Sequence, residues 1–356
     1  MTGKERAFAV INGKTPDRVP VFASTLAGAA WMQRVPQNLF HTKAETLADC
    51  VVTTARTLKL DGIFVSSDNW IAYEALGGEV VFPEDDEPWG KTALIQYWSD
   101  LDRLKLPDPS QAGRMPMMLD AVRKVVARAG GDLYVEANID SGPFQLAMTL
   151  RGAQQAMLDL EDNVEMLRDL LEFGTQLTIS YGKAMARTGV HGVQFGESSA
   201  SLVGPRVFEE FILPYDQQVI EALKAEAVHA FLHVCGHSSH LINGLVRSGA
   251  DCLEIDAMVD LSDVFSKVGL SICIRGNVDT MLLLHGPAER IEESAVACLA
   301  MSRAAGGRLI LSPGCGVPKH TPPEHVLALV KAAELEAETF IPVRKSAPED
   351  LECAAC

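Results

Sequence analysis

From residue 133 to residue 337 the chain alternates between short apolar runs and longer amphipathic ones, and this rhythm limits the fold more than any other feature of the sequence. Residues 133–137, 192–195, 230–234, 252–255, 271–274 and 308–311 are each long enough for one strand and mostly apolar. A strand with no polar alternation is buried on both faces, as in a parallel sheet covered by helices. The segments between them, 146–158, 164–186, 205–225, 239–248, 261–268, 287–305 and 322–337, carry apolar residues at helical spacing. Two further strands are predicted at 19–23 and 61–66, and a helix over 42–58 with Thr42 as its N-cap. Eight strands favour a closed (β/α)₈ barrel, of the α/β class, over an open doubly wound sheet. No Gly-x-Gly-x-x-Gly follows a strand, so a dinucleotide fold lacks its main support. The expected organisation is one barrel domain over 1–342 with an irregular N-terminal part. A Pro-, Gly- and acid-rich excursion at 77–116 includes a small antiparallel piece, and 343–356 is a polar tail.

The composition excludes several classes of function. The 356 residues are 47% hydrophobic and 22% charged, enough apolar material for a large core. A formal net charge of -16, with no Lys/Arg run, argues against nucleic acid and anionic membranes as partners. No window approaches ~20 consecutive apolar residues, and the polar start Met1-Thr-Gly-Lys-Glu-Arg lacks a signal-peptide core, so a cytoplasmic location is expected.

Eight cysteines in a reducing compartment are expected to be thiols. Cys50, Cys252, Cys273 and Cys298 sit in apolar patterns and read as small buried hydrophobes. Cys353-Ala-Ala-Cys356 has the form of a redox or prenylation box. It lacks the strand-helix context of the one and the basic flank of the other, and reads as tail.

Cys235 and Cys315 differ, because glycines and polar residues surround them. His233 and Cys235 are two apart at the end of a predicted strand and share one face. Cys315, in Ser312-Pro-Gly-Cys-Gly316, follows the last predicted strand. In a barrel both strand ends open on the same rim. One imidazole and two thiolates suit zinc, and three protein ligands leave a fourth position open, as in catalytic zinc sites. His237 and His240 fall on the following helix and read as a helix-start residue and a solvated side chain.

These motifs carry a family resemblance. Arg6, Pro16-Asp-Arg-Val-Pro20, Leu232-His-Val-Cys-Gly236, Arg275-Gly-Asn-Val-Asp279, Ser312-Pro-Gly-Cys-Gly-Val-Pro318 and Thr321-Pro-Pro-Glu324 span nearly the whole chain. The sequence resembles the uroporphyrinogen decarboxylase superfamily, and within it the zinc-dependent cobalamin methyltransferases. That branch includes the methylcobamide:coenzyme M and O-demethylase methyltransferases. The resemblance implies a (β/α)₈ barrel, a zinc ion on His233, Cys235 and Cys315, and a corrinoid co-substrate on a small partner protein. It also implies a small-molecule methyl donor or thiol acceptor. A homodimer is the assembly to test for. The His-x-Cys…Cys pattern marks the methyltransferases, because the decarboxylases use no metal. The decarboxylases' arginine-rich phrase after the first strand is absent here, where Ala23-Ser-Thr-Leu-Ala-Gly-Ala-Ala-Trp31 stands and the first arginine is Arg34.

Candidate supporting residues lie at other strand ends. Glu197 is read as a fourth ligand or an acid near the leaving group, or else a helix cap. Asp256 should face the mouth, with Glu254 beside it. Asp68 stands where the decarboxylases place a substrate-binding aspartate. Asn277 and Asp279, like Asn138 and Asp140, orient substrate or hold a turn. Tyr181 and Tyr215 read as packing residues. Three functions remain: methyl transfer to or from a corrinoid, a decarboxylase-like reaction, and a non-catalytic zinc- or corrinoid-binding role.

Overall fold

The computed structural model describes residues 1–339. Its centre is a parallel sheet of seven strands, β1 (Gly62–Val65), β4 (Tyr134–Ser141), β5 (Gly192–Gly196), β6 (His229–Val234), β7 (Cys252–Ile255), β8 (Cys273–Val278) and β9 (Arg308–Pro313), adjacent in that order. Two short strands, β2 (Val80–Val81) and β3 (Trp89–Gly90), pair antiparallel outside it.

The eighth place is filled by a single bridge. Val21 pairs in parallel with Leu311 of β9, and Phe22 N donates to the Leu311 carbonyl at 3.0 Å. On the other side Asp61 N donates to the Val21 carbonyl at 2.9 Å, just ahead of β1. The ring therefore closes, and the expected strand at 19–23 shrinks to one bridging residue. Pro20 removes one of the donors a longer ladder over 19–23 would use. Asp61 supplies what the ladder lacks. Its buried carboxylate accepts Val21 N at 2.7 Å and pairs with Arg6 at 3.0 Å and Arg18 at 2.6 Å, while Arg6 also holds Asp17.

The N-terminal ends of the strands are plugged by the helix Gly3–Ile11, which opens with a capping box between Thr2 and Glu5. Ala7, Val10 and Ile11 pack on Phe22, Tyr134, Phe231 and Ile310 inside the barrel. Cys252 and Cys273 belong to this plug, and Cys50 and Cys298 are buried elsewhere, as their apolar surroundings suggest. Tyr181 is fully buried and Tyr215 packs against the core.

Several elements differ from expectation. The region before residue 130 holds the helices Gly3–Ile11, Leu26–Met32, Gln37–Thr42, Ala44–Thr57, Ile71–Ala75, Trp98–Leu101 and Met115–Arg128. Thr42 ends one of these instead of capping the next, its hydroxyl donating to the Asn38 carbonyl. The segment 146–158 spans two helices, Pro143–Arg151 and Ala153–Asp162, broken at Gly152, whose φ is +84°. The segment 205–225 likewise divides at Ile212. No helix of the described residues is long and apolar enough to cross a membrane. The expected tail at 343–356, with Cys353 and Cys356, lies outside the described residues.

Candidate metal centre

Strand geometry brings the three candidate ligands together. His233 is the penultimate residue of β6 and Cys235 follows that strand by one position. Cys315 follows β9 by two. Among the described residues, His233, Cys235 and Cys315 form the one His/Cys/Asp/Glu group whose ligand atoms lie within 4.8 Å of one another.

Two of the three separations fit a tetrahedral metal. Zn–S bonds of ~2.3 Å and Zn–N bonds of ~2.0 Å give sulfur–sulfur edges of about 3.8 Å and sulfur–nitrogen edges of about 3.5 Å. Cys235 Sγ and Cys315 Sγ are 3.7 Å apart, and Cys315 Sγ is 3.6 Å from His233 Nε2. The third contact, His233 Nε2 to Cys235 Sγ, is a 2.8 Å hydrogen bond and would open on metal binding. Ser198 Oγ donates to Cys235 Sγ at 3.4 Å.

The protons on this set are those a metal would displace. Burial acts to lower the His233 pKa, but Glu254 and the contact with Cys315 more than reverse it, lifting the ring to about 9. The contact with Cys315 lowers the Cys235 pKa. The same contact, with burial, holds Cys315 strongly toward the thiol. Protons and a divalent cation compete for these three atoms.

Beneath the ligands lies a layer of buried charge. His233 Nδ1 donates to the Glu254 carbonyl at 3.3 Å and lies 3.2 Å from Glu254 Oε2, an ion-pair contact, while that oxygen accepts from Gln194 Nε2 at 2.6 Å. A carboxylate on the far nitrogen fixes the ring so that Nε2 faces the metal. Glu254 Oε1 lies 3.3 Å from Arg275 Nε, close enough for an ion pair but too poorly aligned for a hydrogen bond. Arg275 is fully buried and forks onto both oxygens of Glu136 at 3.0 and 2.9 Å. Burial pushes the Glu136 carboxyl up to about 7, against the pull of Arg275.

Two glycines are required where the loops meet. A Cβ on Gly314 would lie 2.4 Å from Ala257 N, and Gly236 has φ +74°.

The cluster forms one wall of a cavity of about 330 Å³. Asp68, Asn138, Asp140, Glu254, Gln145, Trp70 and Phe64 also line it. Asp68 accepts Arg114 Nη1 at 2.6 Å and Nη2 at 3.0 Å and Ser67 Oγ at 2.6 Å. Burial alone would raise its pKa, but His41 and Arg114 hold it well below the usual carboxylate range.

Three expected site residues lie elsewhere. Glu197 is fully buried and accepts Phe144 N at 2.9 Å and Gln145 N at 2.7 Å, capping the helix Pro143–Arg151. It points into the gap left by Gly142, where a Cβ would meet its Oε1 at 2.2 Å. Burial pushes its carboxyl up to about 8, beside an equally buried Asp216. Asp256 accepts Gly236 N and Met258 N, both at 2.9 Å, and so braces the turn after Cys235 without lining the cavity. Asn277 donates to the Asp256 and Val259 carbonyls at 3.0 and 2.7 Å. Asp279 caps the helix Thr280–His285. His240 is engaged with the Val203 carbonyl at 2.9 Å, and neither it nor His237 joins the cluster. Sequence reasoning missed Gln145, Trp70 and Arg114. The first two belong to no motif, and the third lies in the 77–116 excursion, just ahead of the helix Met115–Arg128.

The profile described as Uroporphyrinogen decarboxylase (URO-D) matches residues 2–335. The chain belongs to the uroporphyrinogen decarboxylase family. Within that family it is 25% identical to the methylcobamide:CoM methyltransferase MtbA of Methanosarcina acetivorans, over 94% of this chain and 98% of that one. It is 27% identical to the uroporphyrinogen decarboxylase of Edwardsiella ictaluri, over 81% of this chain and 82% of the other. A solved methyltransferase from Methanosarcina mazei superposes with a TM-score of 0.86 at 25% identity, covering 94% of this chain and 99% of its own. The family's Arg6 and Pro16-Asp-Arg-Val-Pro20 phrase is the ionic staple on Asp61 that closes the barrel.

Proposed function

We propose that this family member is a corrinoid-dependent methyltransferase that holds one catalytic zinc ion on His233, Cys235 and Cys315. It moves a methyl group between a corrinoid, carried by a small partner protein, and a small thiol or methoxylated compound. The observation that carries this reading is the three-ligand cluster on a cavity wall, with two of its three edges at tetrahedral length and no fourth protein ligand within reach among the described residues.

When bound, zinc would supply Lewis acidity at the open position, lowering the pKa of a thiol or polarising a methoxyl oxygen. The remaining work falls to the chain. Glu254 holds His233 in one ring orientation, and Ser198 donates toward Cys235. Asp256 and Gly314 keep the two ligand loops together. The cavity orients the substrate so that one bond to the methyl carbon forms as the other breaks, the leaving atom keeping the electron pair.

The decarboxylase reading has weaker support. Among the described residues no Lys or Arg side chain lines the cavity, although a substrate with many carboxylates needs several. The test is metal analysis followed by two spectral assays of cobalt: methylcobalamin with thiols, and cobalt(I) corrinoid with methoxyarenes. The proposal expects about one zinc per chain and turnover in one assay, both lost in Cys315→Ala. Zinc-free wild-type protein, or a Cys315→Ala variant at full rate, would refute it.

A further inference from the structure

We infer that the cavity beside the metal cluster takes a small uncharged methyl compound, a neutral thiol or ether, in preference to an anionic one such as 2-mercaptoethanesulfonate. This rests on the methyltransferase reading and narrows its substrate.

Among the described residues, the side chains that line the cavity include the acids Asp68, Glu87, Asp140 and Glu254 and no Lys or Arg. The nearby cations are already engaged. Arg114 forks onto Asp68 and also holds Glu74. Arg275 lies between Glu136 and Glu254. Lys319, near the rim, binds the Asp85 carbonyl and Asp86. An incoming sulfonate or carboxylate would lose its hydration and gain no counter-charge.

A cation fares little better, because Asp68 and Glu254 already have partners. Asp140 lies 5% exposed, with Oδ2 accepting Ala72 N at 3.0 Å. Burial, and Asp68 beside it, push its carboxyl up to about 8, so it is a neutral hydrogen-bond donor at pH 7. Two thiolates and a dication also sum to zero. What remains for recognition is non-ionic: Asp140, Asn138, Gln145 and Thr149, with the rings of Trp70 and Phe64. Such a lining suits a neutral molecule with a polar atom and an apolar body.

The test compares ligands matched in size and different in charge. Zinc-loaded protein is titrated calorimetrically with 2-mercaptoethanol, 2-mercaptoethanesulfonate and cysteamine, then with guaiacol and 2-methoxybenzoate. The same compounds enter the cobalt assays, whose two arms separate thiol from ether. The neutral member of one series should bind and turn over at least about tenfold better than its charged analogues, a difference of ~1.4 kcal/mol. Thr149→Lys, at a half-buried position of the lining, should raise affinity for the anion about tenfold with zinc content unchanged. An anion that binds wild-type protein as tightly as its neutral analogue would overturn the inference, and so would failure of every neutral compound to bind. If that anion also turns over in a zinc-dependent way, the methyltransferase reading stands without it. Absence of zinc brings both down.

Discussion

At the scale of single residues, the division of labour around the cluster is between atoms that would touch metal and atoms that aim them. Glu254 aims His233 and is itself oriented by Gln194. Glu254→Gln should therefore weaken zinc affinity about 10- to 100-fold while leaving a folded barrel. Competition with a chromophoric chelator measures this, and unchanged affinity would remove Glu254 from the assignment. Asp140 predicts a pH effect. Burial lifts its folded pKa to about 8, above the ordinary aspartate value of 3.8, so its contribution to stability is whole below pH 4 and is lost as pH rises toward 8. The charged or titratable groups around it are Asp68, Arg114 and Tyr181. Asp140→Asn keeps a neutral donor in a backbone position, φ +64°, that asparagine tolerates. Urea denaturation should show a flatter stability profile between pH 5 and 8 in the variant than in wild type.

At the scale of elements, a charged layer runs across the barrel from β4 to β8, where such barrels ordinarily stack branched apolar side chains. Removing Arg275 leaves Glu136 and Glu254 facing each other with no arginine between them. Arg275→Met should cost about 3–5 kcal/mol of stability. The loss should be smaller at pH 6 than at pH 8, because Glu136, already at about 7, takes up a proton in compensation. Equal losses at both pH values would show that the layer does not titrate.

The same elements explain what the sequence could convey. His233 and Cys235 were legible because strand periodicity of two puts them on one side. Cys315 was legible because glycines flank it just past a strand. Glu197, Asp256 and Asn277 occupy equivalent strand-end positions but turn toward backbone amides or carbonyls of neighbouring segments, which no local pattern encodes. The early helices did leave signals, the Thr2–Glu5 capping box and the buried Met118, Leu119, Val122 and Val125 stripe.

At the scale of the molecule, the barrel depends on one thin seam. Asp61→Ala would strip Val21 N of its acceptor and Arg6 and Arg18 of their shared carboxylate, a buried-pair loss of about 3–5 kcal/mol. Hydrogen exchange at Phe22 and Leu311 should then quicken more than exchange in β5 or β6. Uniform exchange across all four segments would mean the ring is held by something other than this staple.

The seam also joins the two ends of the polypeptide. Arg308 reaches the Ile11 carbonyl across 297 residues, and Leu311 completes the ladder that Val21 begins. A chain emerging from the ribosome at roughly 5–20 residues per second therefore keeps the Val21 segment open along one edge until β9 is made. For such a nascent chain the hazard is edge-to-edge association with another copy. Chaperone demand should be greatest before β9 emerges.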